Sequence, residues 1–306
     1  MLVKTQNLIA IVLLFFCYTS GQSQVVIALN NQGSTNKLYG YAAEQYKIGA
    51  IVQQDSMDNQ DTFDKNWLVQ FSQADLKLPR YARIEDGLLQ VQDPRGCTIW
   101  NKSKLEGPIM ISYWVTAPSS YNEENDIVPR DINQFWMANT PEDLDPNAPG
   151  GLFDSKKYNG DFKSYDRLKG FYASTGGGTV TKNNRTTRLR RYPRQQNEEL
   201  INHVALCTRD DNKDFLIVPN QRHHIQLVAA NDIVQYIFDG KIVYELKKGD
   251  AIDISNDAQK EDKIAEGIWG TGLWTSYSSG YFGFRMTRTH HVYSDFEVFR
   301  LNKKLQ

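Results

Sequence analysis

Side chains that bind metals or carry redox chemistry are scarce in this chain. It has 3 Cys and 5 His among 306 residues, with no CxxC, HExxH or Cys/His cluster, which argues against a structural zinc site. An excess of charge of one sign is missing too: 35 Lys and Arg face 36 Asp and Glu, for a net charge of -1. No global basic field therefore exists to hold nucleic acid or a membrane surface by charge neutralisation, and any bound anion must be met by a local cluster. Past the N-terminus no apolar run approaches the roughly 18 residues of a membrane-spanning helix. There is no GxSxG elbow, and Gly176-Gly177-Gly178 does not continue into the Lys-Ser/Thr of a phosphate loop. Paired carboxylates on one strand face, as retaining sugar hydrolysis on a sandwich requires, are also absent, and Glu142-Asp143-Leu144-Asp145 sits in a Pro-flanked loop. Helical periodicity is weak throughout, and no internal repeat is evident.

What is present begins with an export signal over residues 1–23. Lys4 supplies the basic start, Leu8 to Tyr18 the apolar stretch, and Gly21 and Ser23 the small residues near a cleavage point, so a periplasmic or secreted protein is expected. Phe16 stands before Cys17 where lipidation favours a small residue. Cys97 and Cys207 remain, as one disulfide or as two thiols. Residues 24–60 are polar and Asn/Gln-rich and read as an N-terminal arm and loop after a short apolar start at Val25 to Leu29.

From residue 61 to 306 the pattern is that of one domain. Short alternating runs at Leu88 to Val91, Ile109 to Val115, Gln134 to Met137, His224 to Val228, Val234 to Phe238, Ile242 to Leu246, Tyr281 to Thr287 and Phe296 to Leu301 predict an all-β sandwich. Asp239-Gly240 between two of them is the signature of a tight hairpin. Gln196 to His203 reads as one or two helical turns. Long loops over 117–132, 139–170, 174–184 and 247–275 exceed what connections require and are expected to build a site on a rigid scaffold. Aromatics make up 12% of the chain, which suits both strand packing and a groove lined by flat rings.

Three segments could carry chemistry. In Thr186 to Tyr192, a strand would place Thr186, Arg188, Arg190 and Tyr192 on one face and Leu189 on the other, giving two guanidinium forks beside a phenol; a solvated basic edge strand has the same pattern. In Tyr281 to His291, Phe282, Phe284 and Met286 alternate as a core face. That leaves Tyr281, Arg285 and Thr287 opposite, with His290 just beyond as a candidate acid or base, or as a structural histidine. In Asn133 to Met137, either Asn133 and Phe135 or Gln134 and Trp136 face a ligand, the indole offering a sugar-stacking surface or a core ring. His223-His224 reads as structural. The loop Asp210-Asp211-Asn212-Lys213-Asp214 has oxygens for a structural calcium but not the full EF-hand pattern, and no other cofactor is indicated.

Gly96-Cys97-Thr98-Ile99-Trp100 with Leu105-Glu106-Gly107-Pro108, then Gln134-Phe135-Trp136-Met137, and finally Gly283-Phe284-Arg285 with His290 and Asp295-Phe296-Glu297-Val298 resemble a family of secreted bacterial jelly-roll proteins of polysaccharide-utilisation systems, catalogued as a domain of unknown function. The chain also looks like uronate polysaccharide lyases and the oligosaccharide dehydratases of ulvan breakdown. This resemblance implies a concanavalin-like jelly-roll β-sandwich over nearly the whole chain from residue 60. It further implies a carbon–oxygen lyase acting by β-elimination on uronic-acid residues of an anionic polysaccharide or oligosaccharide. Such a reaction needs the carboxylate neutralised, a base for the C5 proton and an acid for the C4 leaving group. Arg188, Arg190 or Arg285 is assigned to neutralisation, His290 and Tyr192 to proton transfer, and Trp136 with Asn133 and Gln134 to the sugar. A non-catalytic glycan-binding module and a sandwich-fold glycoside hydrolase are the alternatives, because one fold hosts all three.

Overall fold

Strict alternation of apolar and polar side chains builds most of the structure, because successive residues of a strand point to opposite faces. The computed structural model describes residues 36–72, 78–119, 127–177, 186–196, 199–200, 205–208, 215–252 and 267–305. The signal segment 1–23, the acidic loop 210–214 and the side chain of Cys207 lie outside them. In chain order the strands are β1 (Tyr46–Asp55), β2 (Trp67–Phe71), β3 (Tyr81–Glu85), β4 (Leu88–Asp93), β5 (Cys97–Asn101), β6 (Leu105–Glu106), β7 (Ile109–Thr116), β8 (Ile132–Asn139) and β9 (Lys169–Thr175). They continue with β10 (Thr187–Tyr192), β11 (Gln195–Gln196), β12 (Glu199–Leu200), β13 (Ala205–Thr208), β14 (Arg222–Ala229), β15 (Ile233–Phe238), β16 (Lys241–Lys247), β17 (Ser279–Met286) and β18 (Thr289–Lys303). Two short helices, α1 (Gly40–Gln45) and α2 (Gln60–Asn66), precede β1 and β2.

Two antiparallel sheets face each other in an all-β jelly-roll sandwich. The first has the order β16-β15-β14-β7-β18-β4-β3, with β1 joining β18 at its far half; the second has the order β13-β10-β9-β8-β17-β5-β2, with β6 joining β17. Between them lies an aromatic-rich core. In β7, Ile109, Ile111, Tyr113 and Val115 point inward, as do Phe282, Phe284 and Met286 of β17 and Phe296 and Val298 of β18. Trp67 stacks on Phe284 at 5.3 Å between ring centres and meets Phe296 edge-on at 5.0 Å. Its indole N–H donates to Asp55 Oδ2 at 2.9 Å, which ties β1 to β2.

The expected Asp239-Gly240 hairpin is present, with φ of 49° and 75° as a type I′ turn demands. A second one, Asp86-Gly87 with φ of 53° and 70° between β3 and β4, carries the same signature. Two boundaries differ from the sequence expectation. Tyr46–Asp55, inside the segment read as arm and loop, is a strand paired with β18; its half-polar composition reflects an outer strand with one wet face. Gln195–Gln196 and Glu199–Leu200 pair as a small antiparallel ribbon instead of starting a helix. Of the two cysteine states left open by the sequence, Cys97 takes that of a buried free thiol.

Outside the core each sheet carries a further apolar layer. On the first sheet, Met110, Val228, Ile233, Ile237, Phe299 and Leu301 pack against Ala42 and Tyr46. Residues 36–41 are held there by polar bonds: Asn36 Nδ2 donates to Glu297 at 2.8 Å, and Gln235 Nε2 donates to the Tyr39 carbonyl at 3.0 Å. On the second sheet, the 140–168 connection lies across the outer face as a strap. Its Leu152, Tyr158, Tyr165 and Leu168 pack on Trp100, Phe135, Tyr172 and Tyr192. Gly283 makes this packing possible, since a Cβ there would stand 2.5 Å from Cε3 of Trp100. Gly283→Ala is therefore expected to destabilise by about 1–3 kcal/mol through overpacking alone, visible as a melting temperature lower by several degrees in a thermal denaturation scan; an unchanged melting temperature would show that Trp100 relaxes freely.

Candidate functional site

Register fixes which side chains share the outer face of the second sheet. Thr98 lies opposite Arg285, Arg285 opposite Asn133, Asn133 opposite Ser174 and Ser174 opposite Arg188. Their chain neighbours Phe284, Met286, Ala173 and Leu189 belong to the core, so this polar row points away from it. The next row on the same face is Trp100, Gly283, Phe135, Tyr172 and Arg190. The strap covers this aromatic row.

Where the strap passes through residues 161–163, a pocket of about 520 Å³ opens beside Arg285, lined by Arg95, Arg130, Asp161, Phe162, Lys163, Arg285, Thr287 and Arg288. Five of these eight are cationic and one is acidic. Arg285 is at its floor and only 1% exposed. Its Nη1 donates to the Cys97 carbonyl at 2.8 Å, and its guanidinium lies 5.6 Å from the Phe162 ring centre and 5.8 Å from that of Tyr165. Gly96 leaves it room, because a Cβ there would come within 3.0 Å of Nη2. Below it, the buried Asp93 accepts from the backbone N–H groups of Arg95 and Gly96 at 2.5 and 2.6 Å. Burial raises the Asp93 carboxyl above the ordinary range, and those two donors with Arg285 and Arg80 pull it part of the way back. At the rim, Arg130 pairs with Asp131 at 2.7 Å, and Asp161 accepts from Ser72 Oγ at 2.8 Å.

The sequence-predicted residues separate into three places. Arg285, Asn133 and Arg188 share the polar row, while Arg190 and Tyr192 stand on the same face beneath the strap. Tyr192 is fully buried, and its phenol is pushed up to about 12 by burial. Gln134 and Trp136 point the other way: Gln134 accepts from Tyr113 Oη at 2.8 Å inside the sandwich, and Trp136 packs in the core against Phe171. The strand begins with Ile132 inward, which fixes this parity and leaves Asn133 and Phe135 on the outer face. Sugar stacking on Trp136 is thereby corrected. His290 is on β18, in the other sheet, where Nε2 bonds Gln90 Oε1 at 2.8 Å and the ring meets Tyr81 edge-on. The structure does not bring it to the arginines. Nor does it gather them all, for Arg191 turns to the opposite side and donates to the Thr275 carbonyl at 2.9 Å.

Arg95, Arg130 and Lys163 escaped the sequence reading because each sits alone in a connection between strands, Lys163 in a single 3-10 turn, and no local spacing signals that three connections meet. Among the described residues no group of three or more His, Cys, Asp or Glu side chains gathers to hold a metal ion, and no helix is long and apolar enough to cross a membrane. A serine–histidine contact does occur on the first sheet, Ser112 Oγ to His224 Nε2 at 2.8 Å. Ser112 donates its proton to Asn36 Oδ1, however, so His224 is the donor to Ser112 and does not act as its base.

Residues 91–255 match the model of a domain of unknown function, DUF6250. The chain belongs to the DUF6250 family. None of the curated proteins matches it in sequence. Among solved structures, this DUF6250 protein is similar to a Bacillus subtilis protein of unknown function with a galectin-like fold, at 17% identity and a TM-score of 0.54 over 85% of this chain and 100% of that one. It also matches a Zobellia galactanivorans LamA complex with laminaritriose and laminaritetraose, at 11% identity and a TM-score of 0.45 over 83% of this chain and 100% of that one. A third match is the Bacillus subtilis carbohydrate-binding module CBM66, at 9% identity and a TM-score of 0.41 over 76% and 95%. The first likeness is one of fold.

The histidines give the DUF6250 protein a pH-dependent stability. Burial lowers His224 and His290 to about 4 and His291 to about 3 from 6.5. The unfolded chain thus binds more protons than the folded one between about 6.5 and 4, so stability is full above that window and falls as pH falls through it. The melting temperature is expected to drop across this range, and less steeply in His290→Gln; an identical slope in that variant would contradict the burial assigned to His290.

Proposed function

We propose that this protein binds an anionic, uronate- or sulfate-bearing saccharide through the pocket at Arg285. The observation that carries it is a fully buried guanidinium at the floor of a pocket where five cationic side chains meet one carboxylate. An arginine held by a backbone carbonyl and flanked by two rings is pre-positioned to take a carboxylate or sulfate oxygen pair, and little rotamer freedom is left to lose on binding. Phe162 beside it offers an apolar surface to a sugar ring. The sandwich fold and the family resemblance support a saccharide as the carrier of the anion, and an exported location fits the same reading.

Geometry favours recognition over β-elimination. Arg285 suits neutralisation of a uronate carboxylate, but elimination also needs a proton acceptor beside it. The nearest phenol, Tyr165, donates to Gln70 at 2.9 Å and accepts from the Gly160 N–H at 3.0 Å, and burial pushes it up to about 12. That hydroxyl is engaged and protonated. His290 stands in the other sheet, and Tyr192 lies beneath the strap.

Calorimetry with uronate oligosaccharides tests the reading. Binding is expected, weakening with added salt as exposed cations are screened. The exposed pair Arg95→Ala/Lys163→Ala should lower affinity about 10-fold and Arg285→Ala should lower it further. No unsaturated product should appear in the ultraviolet. Absorbance from such a product would assign a lyase instead, and wild-type affinity in Arg285→Ala would overturn the pocket.

A further inference from the structure

Resting on that reading of an anionic saccharide ligand, we propose that the pocket at Arg285 is one end of a longer track whose other end is Arg188. The site then takes an oligosaccharide with at least two anionic groups, not a single anionic sugar. Arg285 and Arg188 stand on the same face in one directly paired row, with Asn133 and Ser174 between them. Three strand spacings separate them, about 14 Å at ~4.8 Å each, which is longer than one pyranose ring.

Several unsatisfied polar atoms lie along this row. Arg285, Asn133 and Arg188 are only 1%, 5% and 7% exposed. Even so, Nε of Arg285, Oδ1 of Asn133, and Nε and Nη2 of Arg188 have no hydrogen-bond partner among the described residues. Leaving a buried guanidinium unpaired is costly, because the charge has lost water and gained nothing in exchange. Arg191, on the opposite face of the same strand, is by contrast provided for: it donates to the Thr275 carbonyl and its guanidinium lies 4.3 Å from the Tyr277 ring centre. The order along the row is cation, amide oxygen, hydroxyl, cation. Its complement is an anion, then sugar hydroxyls, then a second anion, which is what a chain of linked uronates or sulfated sugars presents.

A length series decides it. Galacturonate and its linear oligomers from dimer to hexamer are titrated into the full chain by calorimetry. Affinity is expected to step up once the oligomer is long enough to reach Arg188. Arg188→Ala should then lower hexamer affinity roughly 10- to 100-fold, towards the level of the monosaccharide, while an unchanged far-ultraviolet circular dichroism spectrum attests that the variant is folded. Ser174→Asp, which sets a negative charge midway along the row, should produce the same selective loss. Equal affinity at every length, or an Arg188→Ala loss as large for the monosaccharide as for the hexamer, would overturn the track and leave the pocket standing. Absence of binding at any length would overturn the ligand class itself.

Discussion

A buried positive charge organises the outer face of the second sheet. Removing a guanidinium from water is unfavourable by several kcal/mol unless its donors and its field are compensated. Around Arg285 the compensation comes from the Cys97 carbonyl, two aromatic faces and the nearby Asp93, and each imposes a condition on its neighbourhood. Gly96 must lack a side chain. Asp93 must hold the turn after β4 by two backbone bonds, and the strap must bring Phe162 and Tyr165 onto the sheet. Gly160 allows that last approach: its φ is 80°, and a Cβ there would lie 2.3 Å from the Ser72 nitrogen. The pocket is thus built on a scaffold whose rigidity comes from satisfying one charge.

Such construction separates the two sides of the molecule. On the first sheet, many polar groups reaching outward are absorbed by residues 36–41 and by local pairs such as Arg222 with Asp295 and Ser294, while Gln226 and Gln235 each keep one amide oxygen unpartnered among the described residues. The second sheet leaves several buried donors and acceptors unanswered along one row. Such groups are rare in a folded protein and ask for a reason, which the proposed anionic ligand would supply along this row.

Much of the fold was legible because sheets obey local rules. The strands at 109–115, 234–238 and 242–246 follow from period-2 alternation, and Asp239-Gly240 follows from the positive φ its turn requires. Tyr46–Asp55 was opaque, since an outer strand with polar residues on its wet side alternates poorly. In the site, Arg285 could be placed on the outward face from Phe282, Phe284 and Met286 alone. The parity of Asn133 to Met137 could not, because polar Gln134 is buried by a single bond to Tyr113, and hydropathy cannot anticipate that. His290 looked close to Arg285 in sequence, yet the turn at Arg288 carries the chain from one sheet to the other within three residues. Strand adjacency along the chain misleads wherever a turn crosses the sandwich.

β18 shows what that crossing entails. It is the last strand of the chain and it pairs with β7 on one side and with β4 and β1 on the other. During synthesis these three earlier strands emerge with open edges, well before the partner that closes them. The first sheet therefore closes only when β18 arrives, and a nascent chain short of Phe296 exposes both unpaired ladders and the core rings meant to lie beneath them. The apolar edges of this sandwich therefore need protection until β18 has paired.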